Sequence, residues 1–188
     1  MTDRPPEKPS KRFYPSETAP LLVEWEDRIP SGPVLDVAAG AGRHALHLAR
    51  KGRPVVAVER DPEALGALRR EAAGGLPLDV VEHDLEAAPR LPDPPAGEPG
   101  YSAVLVFYYL QRDLFPEILR VLAPGGLLLY ETFTIDQHVR FGKPRRTHFC
   151  LQPNELLRAF LPLHVLHFRE GWLYPERAVA QLVGERGA

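Results

Sequence analysis

The chain has 188 residues, 44% of them hydrophobic, and a formal charge of −2 at pH 7. That length buries a sizeable core without staples, and that charge gives no general pull toward nucleic acid or membrane surfaces. The one cysteine, Cys150, leaves no internal disulfide and fits a reducing compartment, where it reads as a buried small apolar group. The opening MTDRPPEKPSKR lacks the apolar stretch of a secretory signal, and runs such as residues 103–110 are too short for a bilayer span, so the expected location is cytoplasmic.

Residues 1–15 carry Pro5, Pro6, Pro9 and Pro15 with charges between them and read as a mobile arm; residues 16–188 are expected to form a single domain. A first helix is expected over 18–28, with Leu21, Leu22 and Trp25 on one face. Val34 and Leu35 lead as a short strand into Asp36. The small-residue turn Ala38-Ala39-Gly40-Ala41-Gly42 follows, and then Ala45, Leu46, Leu48 and Ala49 recur at helical spacing. The glycines admit positive φ and close approach of a ligand to the backbone. The helix start beyond them presents unpaired N–H groups and a partial positive charge, suited to a polar or anionic ligand end.

Residues 54–59 form a second apolar strand ending in Glu59. Asp61 and Pro62 then cap a helix that runs to about Ala73 and stops at Gly74-Gly75. A third strand over 78–81 is followed by His83-Asp84, and residues 89–100 are dense in breakers. The continuous apolar run 101–110 suits a central parallel strand, and 113–122 suits a helix. Pro124-Gly125-Gly126 breaks the chain before a fifth strand that starts at 127–130 and is closed by Glu131-Thr132-Phe133. Residues 134–150 read as a basic loop long enough to serve as a lid. Pro153 opens another helix through about Phe160, and the last strands fall at 163–168 and 178–183. The connection between those two is too short for a crossover, so they should pair antiparallel. The fold class is therefore α/β: a doubly wound, mostly parallel seven-stranded sheet with a C-terminal antiparallel hairpin.

The glycine turn admits two ligand classes. Gly40-x-Gly42-x-x-Ala45 satisfies the dinucleotide fingerprint. Asp36-x-Ala38-x-Gly40-x-Gly42 resembles motif I of the class I S-adenosylmethionine-dependent methyltransferases, with Ala38 where that family usually has its first glycine. A parallel sheet finished by an antiparallel hairpin also resembles that family, whereas an NAD Rossmann domain normally ends with another βα unit. The run from Glu131 through Phe149 into Gln152-Pro153-Asn154-Glu155-Leu156 resembles a bacterial tellurite-resistance-type group within it. The likeness extends from about Val34 to Val183.

The resemblance implies S-adenosylmethionine as cofactor, S-adenosylhomocysteine as product, and in-line transfer of a methyl group to a small-molecule acceptor. It places cofactor contacts at Asp36, Ala38, Gly40 and Gly42, at Glu59 with Arg60 beside it, and at Asp84 with Leu85 for the adenine. An acid at the end of the second strand can take a ribose diol in either ligand class. Arg43 opposes the helix dipole and is expected to meet an anion, either Asp36 or a cofactor carboxylate. Phe107, Tyr108 and Tyr109 follow the fourth strand, where the family often carries Asp or Asn. Aromatic faces suit a sulfonium, and at least one of the three is expected to face the cofactor. Tyr108, Tyr109 and His138 are the candidate catalytic residues. Arg112, Arg140 and Arg145 are the candidate substrate-binding residues, and they favour an anionic or soft acceptor over RNA. No paired histidine spacing points to a metal. The rivals are an NAD(P)-dependent oxidoreductase, for which no Tyr-x-x-x-Lys pair is found, and a protein that binds the cofactor without turnover.

Overall fold

The computed structural model describes residues 16–187; the expected N-terminal arm lies outside them. Five short apolar runs form the parallel strands β1 (Val34–Val37), β2 (Val55–Glu59), β3 (Leu78–Glu82), β4 (Tyr101–Phe107) and β5 (Leu122–Phe133). Two further strands, β6 (His164–Tyr174) and β7 (Arg177–Glu185), complete one sheet in the order β3-β2-β1-β4-β5-β7-β6. β7 runs antiparallel to both β5 and β6, so the expected terminal hairpin is present, and its connection holds no helix.

The helices are α1 (Pro20–Trp25), α2 (Arg43–Arg50), α3 (Pro62–Ala73), α4 (Phe115–Val121), α5 (Ile135–Phe141) and α6 (Glu155–Ala159). The two-residue period of the strands divides the core between the two faces of the sheet. Val34, Val55 and Ala57 face the side of α1, α2 and α3 with Leu22, Trp25, Leu48 and Leu68. Leu35, Val37, Val56 and Val58 face the side of α4 and α6 with Ile118, Val121 and Leu156. β4 lies between β1 and β5 with all seven residues buried, as a central parallel strand requires. Among the described residues, no helix is long and apolar enough to cross a membrane.

Three expectations change. The fourth strand stops at Phe107 rather than running to 110, because Tyr108 takes φ +58 and turns the chain. The fifth strand begins before the Pro-Gly-Gly break: Leu122 pairs with Tyr101, and the register resumes with Leu127 opposite Ala103. Gly126 makes that bulge fit, since a Cβ there would stand 2.8 Å from the Tyr101 carbonyl oxygen. The basic segment 134–150 is not wholly loop, because it opens with α5.

Candidate functional site

In a sheet of this type ligands bind beyond the C-terminal ends of the strands, beside the point where strand order reverses between β1 and β4. Beyond β1 the backbone enters the left-handed region at Ala38 (φ +54), Gly40 (φ +55) and Gly42 (φ +76). A Cβ on Gly42 would collide with the Leu68 side chain of α3, so glycine is required there by packing. A Cβ on Gly40 would meet nothing within 4 Å, leaving an open cradle at the tip of the turn. The Ala39 N–H donates to the Val58 carbonyl at 2.9 Å, tying the turn to β2.

Glu59, the last residue of β2, is held by three amides. Its Oε2 accepts the Gly40 N–H at 2.7 Å, and its Oε1 accepts those of Arg60 and Asp61 at 2.8 and 2.9 Å. The carboxylate is fixed at the head of a cavity of about 320 Å3, with Ala38, Asp84, Leu85, Tyr108 and Tyr109 among its walls. Phe133, Pro144 and Phe149 close it from the β5 end and the segment after it.

Asp84 caps the turn after β3: its Oδ1 accepts the Glu86 and Ala87 N–H groups at 3.0 and 3.3 Å. Arg60 also reaches it, donating from Nη1 to Asp84 Oδ1 at 3.0 Å and to Glu86 Oε2 at 2.9 Å across the cavity rim. The Tyr109 hydroxyl donates to Gln111 Oε1 at 2.5 Å, and Gln111 Nε2 donates to the Leu85 carbonyl at 2.7 Å. Burial pushes the Tyr109 phenol up to about 12, so it stands in the site as a neutral hydroxyl.

Tyr108 packs its ring on Phe133 with centroids 4.9 Å apart, and its hydroxyl accepts from Arg177 Nη1 at 3.3 Å. Burial, reinforced by the charge of Glu131, raises its pKa far above the usual phenol range. Asp36 is in phase with Val34 and so points toward α2. It is 1% exposed, and its Oδ2 accepts the Ala45 N–H at 3.0 Å. It braces the turn from behind and is not a cavity wall.

Several expected site residues sit elsewhere. Phe107 is buried on the α2 side, its ring 4.1 Å from that of His44, so strand alternation carries it away from the cavity. Arg112 is a brace: its Nε meets Glu155 Oε1 at 2.5 Å, and its two terminal nitrogens donate to the His148 and Cys150 carbonyls at 2.6 and 3.1 Å. His138 is turned to the Pro144 carbonyl, 2.7 Å from its Nδ1, and supports the segment over the cavity instead of lining it. Arg140 lies over the rings of Phe141 and Trp172, at 5.4 and 4.9 Å. Arg145 is exposed, one residue beyond the wall residue Pro144. Arg43 donates from Nη1 to the Glu17 carbonyl at 2.8 Å and stands 5.3 Å from the Tyr108 ring centroid; its charge acts on Asp36 through space.

The site also holds residues that sequence reasoning passed over: Phe133, Pro144 and Phe149 in the walls, and Glu131 and Arg177 behind Tyr108. The one signal for Glu131 was a carboxylate carried directly on an apolar strand.

This strand order, with an antiparallel seventh strand and a glycine turn after β1, defines a class I methyltransferase fold. A family model described as a methyltransferase domain matches residues 34–126. The chain is 31% identical over 156 residues to the Mycobacterium tuberculosis protein Rv1405c, covering 82% of this chain and 55% of that one. It thus spans about half the length of that curated relative. TehB from Haemophilus influenzae superposes with a TM-score of 0.74 at 18% identity, covering 94% of this chain and 65% of TehB. The glycopeptide N-methyltransferase MtfA, crystallised with sinefungin, gives 0.64 at 17% identity, covering 94% of this chain and 91% of MtfA. Residues 34–126 thus carry a methyltransferase domain, on a sheet with the class I methyltransferase fold.

Proposed function

We propose that the protein transfers the methyl group of S-adenosylmethionine to a small-molecule acceptor of anionic or soft character, in the cytoplasm. The observation that carries this reading is Glu59, a carboxylate immobilised by three backbone amides with its face toward the cavity. A fixed carboxylate suits a ribose hydroxyl, and Oε2, which accepts a single amide, retains a lone pair for it. The open cradle at Gly40 fits the approach of the amino acid end of the cofactor. Asp84 and Leu85 are the groups for the adenine edge, and the Tyr108 and Tyr109 rings suit a sulfonium.

The cofactor, when bound, supplies a methyl group already activated by the sulfonium. The chain's task is then alignment and exclusion of water, which contributes about 7–11 kcal/mol in favourable cases of in-line displacement. Phe133 and Phe149 serve that exclusion. The oxidoreductase alternative fits less well, because the last two strands pair antiparallel with no helix between them. Isothermal titration with S-adenosylhomocysteine and, separately, with NAD tests the cofactor: micromolar binding of the first alone is expected, and binding of NAD alone refutes the reading. Incubation with methyl-labelled cofactor and either a metabolite extract or RNA tests turnover. Label entering small molecules is expected; no transfer to either pool indicates a protein that binds without turnover.

A further inference from the structure

β5 carries a charge into the interior. Glu131 is 0% exposed, and the register sets it between Phe107 on β4 and Gln181 on β7. One carboxylate oxygen is satisfied: Oε2 accepts from the Tyr174 hydroxyl at 2.9 Å and from Gln181 Nε2 at 2.6 Å. The other, Oε1, is buried with no partner in hydrogen-bonding geometry. Leaving an ionisable oxygen open in the interior is costly, and native proteins tolerate it chiefly where the group has work to do.

The surroundings indicate what that work is. Tyr108 stands beside Glu131, close enough for the carboxylate to act on its hydroxyl, and the same tyrosine is a wall of the cavity. Arg177 donates to the Tyr108 hydroxyl at 3.3 Å and lies 4.4 Å from the Tyr174 ring centroid. Arg43, over the Tyr108 ring, also feels the charge of Glu131. His167 touches the far end of the cluster, with Nε2 3.4 Å from Gln181 Oε1. The two guanidinium groups supply the positive charge that a buried carboxylate needs, and neither meets Oε1 in hydrogen-bonding geometry. Tyr108, whose N–H donates to the Glu131 carbonyl at 2.7 Å, thus stands beside Glu131 and also lines the cavity.

We propose that Glu131 receives the proton of the methyl acceptor through the Tyr108 hydroxyl, so that the acceptor atom arrives protonated, as a hydroxyl, amine or thiol. The inference rests on the methyl-transfer reading and replaces its anionic or soft acceptor atom by a protonated one. The acceptor's lone pair forms the bond to the methyl carbon, and the electron pair of the breaking S–C bond stays on sulfur. The acceptor's proton passes to the Tyr108 oxygen while Tyr108 passes its own proton to the Glu131 carboxylate. The positive charge of the sulfonium and the negative charge of the carboxylate disappear together. Tyr108 never has to exist as a free phenolate, which its burial strongly disfavours. Glu131 acts as a positioning residue behind Tyr108.

The test needs no knowledge of the acceptor. Sinefungin carries an amine where the methyl-bearing sulfonium stands, whereas S-adenosylhomocysteine carries no donor there. That amine can donate to the Tyr108 oxygen when the hydroxyl's own proton points away from it, and the Glu131 carboxylate is the acceptor beside that proton. Sinefungin is expected to bind wild-type protein about tenfold more tightly than S-adenosylhomocysteine, as a charge-assisted hydrogen bond would give. Glu131→Gln and Tyr108→Phe should each reduce that preference to within about twofold while S-adenosylhomocysteine affinity stays within about threefold. A merely structural role for Glu131 would weaken both ligands together. A preference absent from the wild type, or one that survives either variant, overturns the proposal. Should Glu131→Gln fail to fold, Tyr108→Phe decides alone. If neither ligand binds wild-type protein, the cofactor reading itself fails and this proposal goes with it.

Discussion

The Gly40 amide donates to the Glu59 carboxylate across 2.7 Å, joining the turn after β1 to the end of β2. The contact sets the carboxylate's direction before any ligand arrives, so little side-chain entropy remains to be lost on binding. Glu59→Gln replaces one charged acceptor by an amide nitrogen, which cannot accept. Hydrogen bonds to a charged group contribute about 1.5–3 kcal/mol, so S-adenosylhomocysteine affinity should fall roughly tenfold to a hundredfold. Calorimetric titration measures it, with a thermal melt to verify that the fold survives. Unchanged affinity would remove Glu59 from the nucleoside site.

The two glycines of the turn should respond to alanine in opposite ways. At Gly42 the new methyl would run into Leu68, which is fully buried and has nowhere to go, and φ is +76. Gly42→Ala should therefore cost about 2–3 kcal/mol of stability through overpacking and strain. At Gly40 the methyl enters open space, so Gly40→Ala should cost only about 1 kcal/mol for its φ of +55. That methyl fills the cradle, and the loss should appear in cofactor affinity. Urea melts and titrations on both variants compare the two, and equal effects on both quantities would contradict the assigned roles.

The strands were legible because each is an apolar run cut by a turn. The hairpin was legible because the connection before β7 is too short for a crossover. Glu59, Asp84, Tyr108 and Tyr109 were also in reach, since each lies at the end of a strand or within two residues of it. What the sequence hides is partnership over distance. Arg112 looks like a free cation at the mouth until Glu155, 43 residues later, is seen to take it. Glu131 reads only as part of the close of the fifth strand until β7 pairs with β5 and covers it. Phe107 and Tyr108 are adjacent in the chain and both pack against the α2 core, yet only Tyr108 also lines the cavity. α5 is too short and too polar for its period to stand out.

The Arg112 brace carries its own expectation. It ties the β4 exit to the start of α6 and to the carbonyls that end the segment over the cavity. Arg112→Ala should cost about 1–2 kcal/mol, the ion pair being partly exposed and the carbonyl bonds contributing the larger share. It should also speed proteolytic cleavage within 142–150, while S-adenosylhomocysteine affinity changes little. A tenfold loss of affinity with unchanged cleavage would return Arg112 to the ligand site.

Asp36 makes the last expectation one of pH. Burial pushes its carboxyl up to about 7, and the Ala45 N–H and the Arg43 charge only partly offset it. An unfolded aspartate titrates near 4, so between about pH 4 and 7 the folded chain holds a proton that the unfolded chain has released. A raised folded pKa means that this group's contribution is fully present below about pH 4 and is lost as pH rises through 7. His44 slopes the other way. Burial, then the charges of Arg43 and His47, push it down to about 3, so its contribution is lost as pH falls below the unfolded value near 6.5. The two slopes overlap in wild-type protein, and Asp36→Asn separates them. The amide still offers Ala45 an acceptor but has no charge to bury. The variant should match wild type near pH 4 and exceed it at pH 8 by a few kcal/mol, at roughly 1.4 kcal/mol for each unit of displacement. Urea melts at pH 4.5, 6 and 8 measure the divergence. Two curves that stay parallel across that range would mean that Asp36 ionises as an exposed carboxylate does, and the brace behind the glycine turn would have to be redrawn.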